Sequence, residues 1–89
     1  MAATLNFPNQ SRSFDATRRR VRFWGYDSAL EISFFVDADA LMPAGAETEV
    51  PEAELLQAFD QGRDRILEVA ARVYARSRGY AYVLTAADF

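Results

Sequence analysis

Two runs near the middle of the chain alternate between apolar and polar side chains and are rich in aromatic and β-branched residues. These runs, 18–24 and 29–36, predict two β-strands. The four residues between them, 25–28, include glycine, aspartate and serine, so we expect a four-residue hairpin loop. The pattern therefore predicts a central hairpin at about 18–36.

Pairing the two strands across this loop predicts a register that separates an apolar inner face from a polar outer face. A slip of one residue would exchange the two faces, so the pattern favours this register. The expected partners are Phe23 with Leu30 and Val21 with Ile32 on the inner face, and Arg22 with Glu31 and Arg20 with Ser33 on the outer face.

A helical period follows in the C-terminal half, where apolar residues recur at alternating steps of four and three. Pro51 and two glutamates mark its start, and Gly79 marks its end as a C-cap, which predicts one long helix at about 51–78. The apolar stripe consists of Leu55, Phe59, Gly62, Ile66, Val69 and Val73, broadened by Leu56, Leu67, Ala70 and Tyr74.

Shorter patterns complete the order of elements. We expect a short strand at 4–7, a turn at 14–17, a helical turn at 38–42 and a last strand at 80–85. Together they predict a single α+β domain over residues 1–89. A small antiparallel sheet of three to four strands packs on the long C-terminal helix, and a last short strand follows.

The predicted helix is long for so small a domain. At 1.5 Å per residue it would span about 42 Å, whereas a compact domain of 89 residues is about 31 Å across. Gly62 is the obvious place for a break or a close approach of backbones. Either the helix curves over the sheet and Gly62 relieves crowding, or the overhanging part packs against a second copy in a homodimer.

The chain contains no histidine, cysteine or lysine. The side chain whose unperturbed pKa lies near neutrality is therefore missing, and a thiolate nucleophile and a cysteine metal site are excluded. Paired carboxylates would need a buried pocket for acid–base chemistry, and so small a domain has little interior for one, so we expect no enzymatic activity and no cofactor. The carboxylates at 37–39 and 47–54 lack the spacing of a calcium loop, so helix capping and a solvated face explain them and no metal is expected.

The net charge of −3 is unevenly distributed. Residues 1–26 carry a net charge of +4, residues 27–60 carry −9 and residues 61–89 carry +2, a separation that suits pairing within the chain or across a two-fold axis. No apolar run is long enough to span a membrane, no secretion signal is recognisable and cysteine is absent, which favours the cytoplasm.

One strand mixes basic and aromatic residues on its outward face. Arginines and rings together are the ingredients of single-stranded nucleic-acid binding, although a solvated, charged sheet face on which Glu31 neutralises Arg22 is the commoner explanation. Outward rings also suggest that this face is covered or forms an interface. The candidate interaction surface consists of Arg18, Arg20, Arg22, Trp24 and Phe35.

Several short motifs resemble a family of small bacterial proteins, the domain-of-unknown-function family numbered 1488. The resemblance implies a bacterial, cytoplasmic α+β domain of similar length, and it implies no activity, ligand or catalytic residue. The motifs are Leu5-x-Phe7-Pro8, the Phe14-Asp15 turn, Val21-x-Phe23, Ala29-Leu30 leading to Phe34 and Phe35, and Asp39-Ala40-Leu41.

The sequence leaves three functional hypotheses. The first is a non-enzymatic interaction module that self-associates through the helix or the outer sheet face. The second is a nucleic-acid-associated regulator that uses Arg18, Arg20, Arg22 and Trp24. The third is a small-ligand pocket between helix and sheet.

Overall fold

The α+β fold is seen in a computed structural model, which describes residues 5–8, 12–41, 50–77 and 79–89. Predictions for the remaining residues, among them the start of the first strand and the end of the helix at 78, lie outside this part of the chain. The strands are β1 (Leu5–Asn6), β2 (Ser13–Asp15), β3 (Arg20–Asp27), β4 (Leu30–Asp37) and β5 (Ala81–Leu84); the helices are α1 (Ala38–Leu41), α2 (Glu52–Gln61) and α3 (Arg63–Ser77), followed by a 3₁₀ turn at Ala86–Asp88.

The strands form one mixed sheet. β1 and β2 both pair antiparallel with β3, so that they form two pieces of the same edge, and β3 pairs antiparallel with β4. β5 lies on the other side of β4 and runs parallel to it. A parallel neighbour requires a crossover connection, which the three helices between β4 and β5 provide. The predicted α+β fold with a last short strand is confirmed.

The predicted hairpin loop and register are wrong. β3 continues to Asp27, and a two-residue turn at Ser28 and Ala29 leads directly into β4. Ser28 has a φ of 57°, as two-residue hairpin turns require at their first central position. Phe23 consequently pairs with Phe34, four residues beyond the predicted partner Leu30.

The prediction of which side chains face the core is nevertheless correct, because the register is shifted by an even number of residues. Val21, Phe23 and Ile32 are buried as expected, and Val21 pairs with Val36. Leu30 is the exception: it stands at the hairpin turn and is 50% exposed.

An aromatic cluster joins the sheet to the helices. Phe23 stacks on Phe34 with ring centroids 5.2 Å apart and tilts against Phe59 of α2 at the same distance. Phe34 in turn stacks on Tyr82 of β5 at 5.4 Å. Most of the predicted helical stripe is buried on this face, namely Leu55, Phe59, Ile66, Val69, Ala70 and Tyr74.

The long helix is interrupted at Gly62, but only slightly. The Gly62 amide still bonds to the Ala58 carbonyl, and the Gly62 carbonyl still accepts from the Ile66 amide, each at 3.0 Å. The nearest atoms to a side chain at position 62 would belong to these same neighbours, so no other backbone of the described residues approaches it. Within one molecule, the expected close approach is therefore not seen among these residues. The molecule accommodates the helix by being elongated, 40 × 23 × 22 Å.

Replacement of Gly62 with alanine is expected to raise the free energy of unfolding by about 0.5–1 kcal/mol, because alanine loses less backbone entropy on entering a helix. A methyl group there would meet Ala58 O at 3.4 Å and Ile66 Cδ1 at 3.8 Å, which are tolerable contacts. Urea unfolding followed by Trp24 fluorescence measures the change. A loss of stability would mean that the interruption needs glycine.

Candidate interaction surface

The strand side chains that alternate with the core residues form the other side of the sheet, which we call the outer face. None of these side chains is buried, whereas Val21, Phe23, Ile32, Phe34 and Val36 on the inner side are. The outer face consists of Asn6 of β1, Ser13 and Asp15 of β2, Arg20, Arg22, Trp24 and Tyr26 of β3, Glu31, Ser33, Phe35 and Asp37 of β4, and Ala81 and Val83 of β5.

Two arginines of the outer face lie over aromatic rings. The Arg22 guanidinium carbon is 4.7 Å from the centre of the Trp24 ring, and that of Arg20 is 5.3 Å from the Phe35 ring. The attraction between a cation and a π system stabilises such pairs by about 0.5–2 kcal/mol. Each ring thus has the guanidinium of one arginine over it.

Both arginines are also paired with acids of β4. Arg22 donates to Glu31 Oε2 and to Ser33 Oγ, each at 3.0 Å. Arg20 Nε lies 3.5 Å from Asp37 Oδ1, and within the described residues this buried nitrogen has no hydrogen-bond partner. The cations of the outer face are therefore largely neutralised within the molecule.

The structure brings together four of the five predicted surface residues, and Arg18 is the exception. Arg18 precedes β3 and lies in the turn at 16–19, so its predicted position in the strand is wrong. Asp15 Oδ1 accepts hydrogen bonds from the amides of Thr17 at 3.1 Å and Arg18 at 3.3 Å, which holds these residues in a turn. Arg19 completes the turn with a φ of 53°.

The contribution of β5 to this surface was not predicted from the sequence. Val83 pairs with Phe35 and is 45% exposed, and Ala81 pairs with Ser33. The alternation of the last strand was visible in the sequence, but its neighbour in the sheet was not.

A second polar cluster lies at the junction of α2 and α3. Arg12 donates two hydrogen bonds to the Asp60 carboxylate, at 2.9 and 2.8 Å, and Arg63 donates a third at 3.3 Å. The hydrogen bonds from Arg12 lower the pKa of Asp60 below its ordinary value, with a contribution from Arg63 and against partial desolvation. This carboxylate, whose side chain is 44% exposed, thus links the segment before β2 to the helices through a surface ion pair.

This junction also borders a shallow cleft, lined by the same three residues together with Gln61 and Asp64. Within the described ranges, no group of three or more acidic side chains is placed to hold a metal ion. Likewise, no described helix is both long and apolar enough to cross a membrane.

Comparison with known proteins places the chain by sequence and by fold. The family of proteins of unknown function DUF1488 matches residues 5–84. A crystal structure of a protein of unknown function from this family in Shewanella loihica PV-4 superposes with a TM-score of 0.75 over 93% of this chain and 94% of that one, at 21% identity, which shows a shared fold. None of the curated proteins matches the chain. The chain thus belongs to the DUF1488 family, whose function is unknown.

Proposed function

We propose that this protein is a non-catalytic interaction module of the bacterial cytoplasm, and that it self-associates through the outer face. The observation that carries the proposal is the contrast between the two sides of the sheet. One side is buried against α2 and α3, whereas the other presents half-buried aromatic rings with no described element packed on them. Aromatic side chains together with arginine are the residues that most often dominate binding energy at interfaces.

The layout of the outer face resembles that of an interface. Trp24, Phe35 and Val83 occupy neighbouring positions at its centre, because Phe35 pairs with Val83 and stands diagonally beside Trp24. Arg22 lies among them, opposite Phe35 and over Trp24, and Arg20 lies over Phe35. Charges beside apolar rings in a contact set its orientation.

The charges of this face favour a second copy as its occupant. Two arginines and three acids, Asp15, Glu31 and Asp37, share the surface, so it carries both signs. A two-fold axis through the face can place the arginines of one copy against the acids of the other. A strongly acidic or basic partner would find only half of its charges matched.

Two features of composition support a non-catalytic role in the cytoplasm. The chain has no histidine, cysteine or lysine, so the commonest bases and nucleophiles are missing, and no disulfide can form. In addition, the buried side chains of the described residues are hydrophobic, and the phenol of Tyr74 among them donates a hydrogen bond to Asp27.

The alternative, nucleic-acid binding by Arg18, Arg20, Arg22 and Trp24, has weaker support. Two of these arginines are already paired with acids and stacked on rings, and the net charge is −3. Titration with a labelled single-stranded oligonucleotide at 50 mM salt tests this function. Binding that weakens steeply with added salt would favour it over self-association.

Self-association is tested by molar mass. We expect light scattering at micromolar concentration to give at least twice the 10.0 kDa monomer mass, and we expect Phe35→Glu to reduce it, because a carboxylate at the centre of the outer face must be desolvated on contact. Leu30→Glu is the matched control, since Leu30 is exposed at the hairpin turn. A monomer mass for the unaltered protein would overturn the proposal.

A further inference from the structure

The free edge of β5 offers backbone groups that no described residue uses. The Ser33 amide donates to the Tyr80 carbonyl at 2.9 Å, and the parallel ladder continues with Tyr82 facing β4. Successive residues of a strand direct their N–H and C=O groups to opposite sides. The N–H and C=O groups of Ala81 and Val83 therefore point away from the sheet, and within the described residues they have no partner.

The two edges of the sheet differ in their protection against pairing with another strand. The edge next to β3 is broken into β1 and β2, which are two and three residues long, with Pro8 after the first and Asp15 at the end of the second. Short strands, prolines and charges are the usual protection against unwanted pairing. β5 is also short, at four residues, but it carries no proline and no charge: its residues are Ala81, Tyr82, Val83 and Leu84.

Exposed apolar side chains also occur in and next to β5 along the chain. Among the described residues, the large hydrophobic side chains that are exposed are Leu30 at the hairpin turn and three others in the last ten residues. Tyr80, directly before β5, is 68% exposed, Val83 lies within the strand, and Phe89 follows it. Free backbone groups and exposed apolar surface thus coincide at β5.

We propose that β5 pairs antiparallel with β5 of a second copy, so that one sheet runs through both molecules. This inference rests on the proposed self-association and names a strand that joins the copies. With Tyr82 on the two-fold axis, Ala81 lies opposite the partner's Val83. Two residues paired in this way exchange both of their hydrogen bonds, so the symmetric pair of contacts uses all the free groups of the described strand.

The side chains fit this register as well. Ala81 and Val83 both lie on the outer face, so each small methyl group meets a β-branched side chain across the axis. No charge in β5 is brought against its own copy. Because a two-fold axis perpendicular to the sheet keeps both outer faces on the same side, pairing makes them one continuous surface.

The test separates backbone pairing from side-chain contact. Val83→Pro removes an N–H group that points to the free edge and leaves the ladder to β4 intact, whereas Val83→Ala keeps the N–H and trims the side chain. We expect the proline variant to have half the molar mass of the unaltered protein and the alanine variant to retain it. Circular dichroism establishes that each variant is folded.

Amide hydrogen exchange gives a second measurement on the unaltered protein. The amides of Ala81 and Val83 are expected to be protected at high concentration and to exchange rapidly on dilution, whereas the Tyr82 amide stays protected at both because it bonds to β4. Rapid exchange of Ala81 and Val83 at all concentrations overturns the inference even if the proline variant fails to fold.

The outcomes distinguish this inference from the proposed function. A monomeric unaltered protein overturns both. An assembly that Phe35→Glu dissociates and Val83→Pro leaves intact overturns the edge pairing and supports the outer-face contact. An assembly that responds to Val83→Pro alone supports the edge pairing and overturns the outer-face contact. If Phe35→Glu and Val83→Pro each halve the molar mass of the assembly, both contacts are supported.

Discussion

Replacement of Phe23 with alanine is expected to lower the free energy of unfolding by about 3–5 kcal/mol, the usual range for removing a buried ring. Phe23 is 1% exposed and contacts rings from three other segments: Phe34 and Phe59 at 5.2 Å and Phe7 at 5.9 Å between centroids. A cavity at this point separates the sheet, α2 and the first strand from one another. Because small domains have a total stability of about 5–15 kcal/mol, the variant should be close to unfolding at 37 °C.

Chemical denaturation followed by Trp24 fluorescence measures this loss, since Trp24 is the single tryptophan and lies on the neighbouring outer face. Phe89→Ala is the matched control. That ring is 37% exposed, so its removal should lower the free energy of unfolding by only about 1–2 kcal/mol. A loss below about 1 kcal/mol for Phe23→Ala would contradict its position at the centre of the core.

The inner and outer faces of the hairpin could be predicted from sequence because they depend only on alternation. The predicted partner of Phe23 was four residues away from the true one, yet Val21, Phe23 and Ile32 still lie in the core. An even shift keeps every side chain on its own face. For the same reason, Arg20, Arg22, Trp24 and Phe35 share the outer face as predicted. Arg22 even reaches Glu31, its predicted partner, diagonally along the sheet.

The turn could not be predicted because its signals were ambiguous. Gly25 looked like a loop residue, and Ser28 had no obvious reason to adopt a positive φ. In the structure Gly25 is a strand residue, and its lack of a side chain serves a contact with Phe7, eighteen residues earlier in the chain. Local patterns report local preference, and this contact is not local.

Contacts between distant segments escaped prediction at the candidate surface too. The position of Val83 beside Phe35 depends on the helical crossover that returns β5 to the far side of β4. The ion pair between Arg12 and Asp60 joins residues 48 positions apart. Periodicity assigns a side chain to a face, but the topology decides which other side chains share it.

Replacement of Gly25 with alanine is expected to lower the free energy of unfolding by about 1–3 kcal/mol, because the added methyl group has no room. The expected loss does not come from secondary-structure preference, since alanine favours neither a strand nor a loop strongly. A Cβ atom at this position would stand 2.7 Å from the Asn6 carbonyl oxygen and 2.8 Å from the Phe7 ring. Both neighbours must move, and moving Phe7 withdraws it from Phe23 and Phe34. The loss of β1 from the sheet would expose the ring cluster beneath it.

A double-mutant cycle tests this cause directly. In the Phe7→Ala background one of the two obstructions is gone, so Gly25→Ala should cost less than it does in the unaltered protein, and the two changes should not be additive. Gly62→Ala, for which the opposite sign is expected, controls for the entropic effect of replacing glycine. Equal costs of Gly25→Ala in both backgrounds would mean that the obstruction is the Asn6 backbone alone. A gain in stability from Gly25→Ala would contradict the close approach of the first strand to β3. It would also contradict the inference that this edge of the sheet is protected and that β5 forms the unprotected edge.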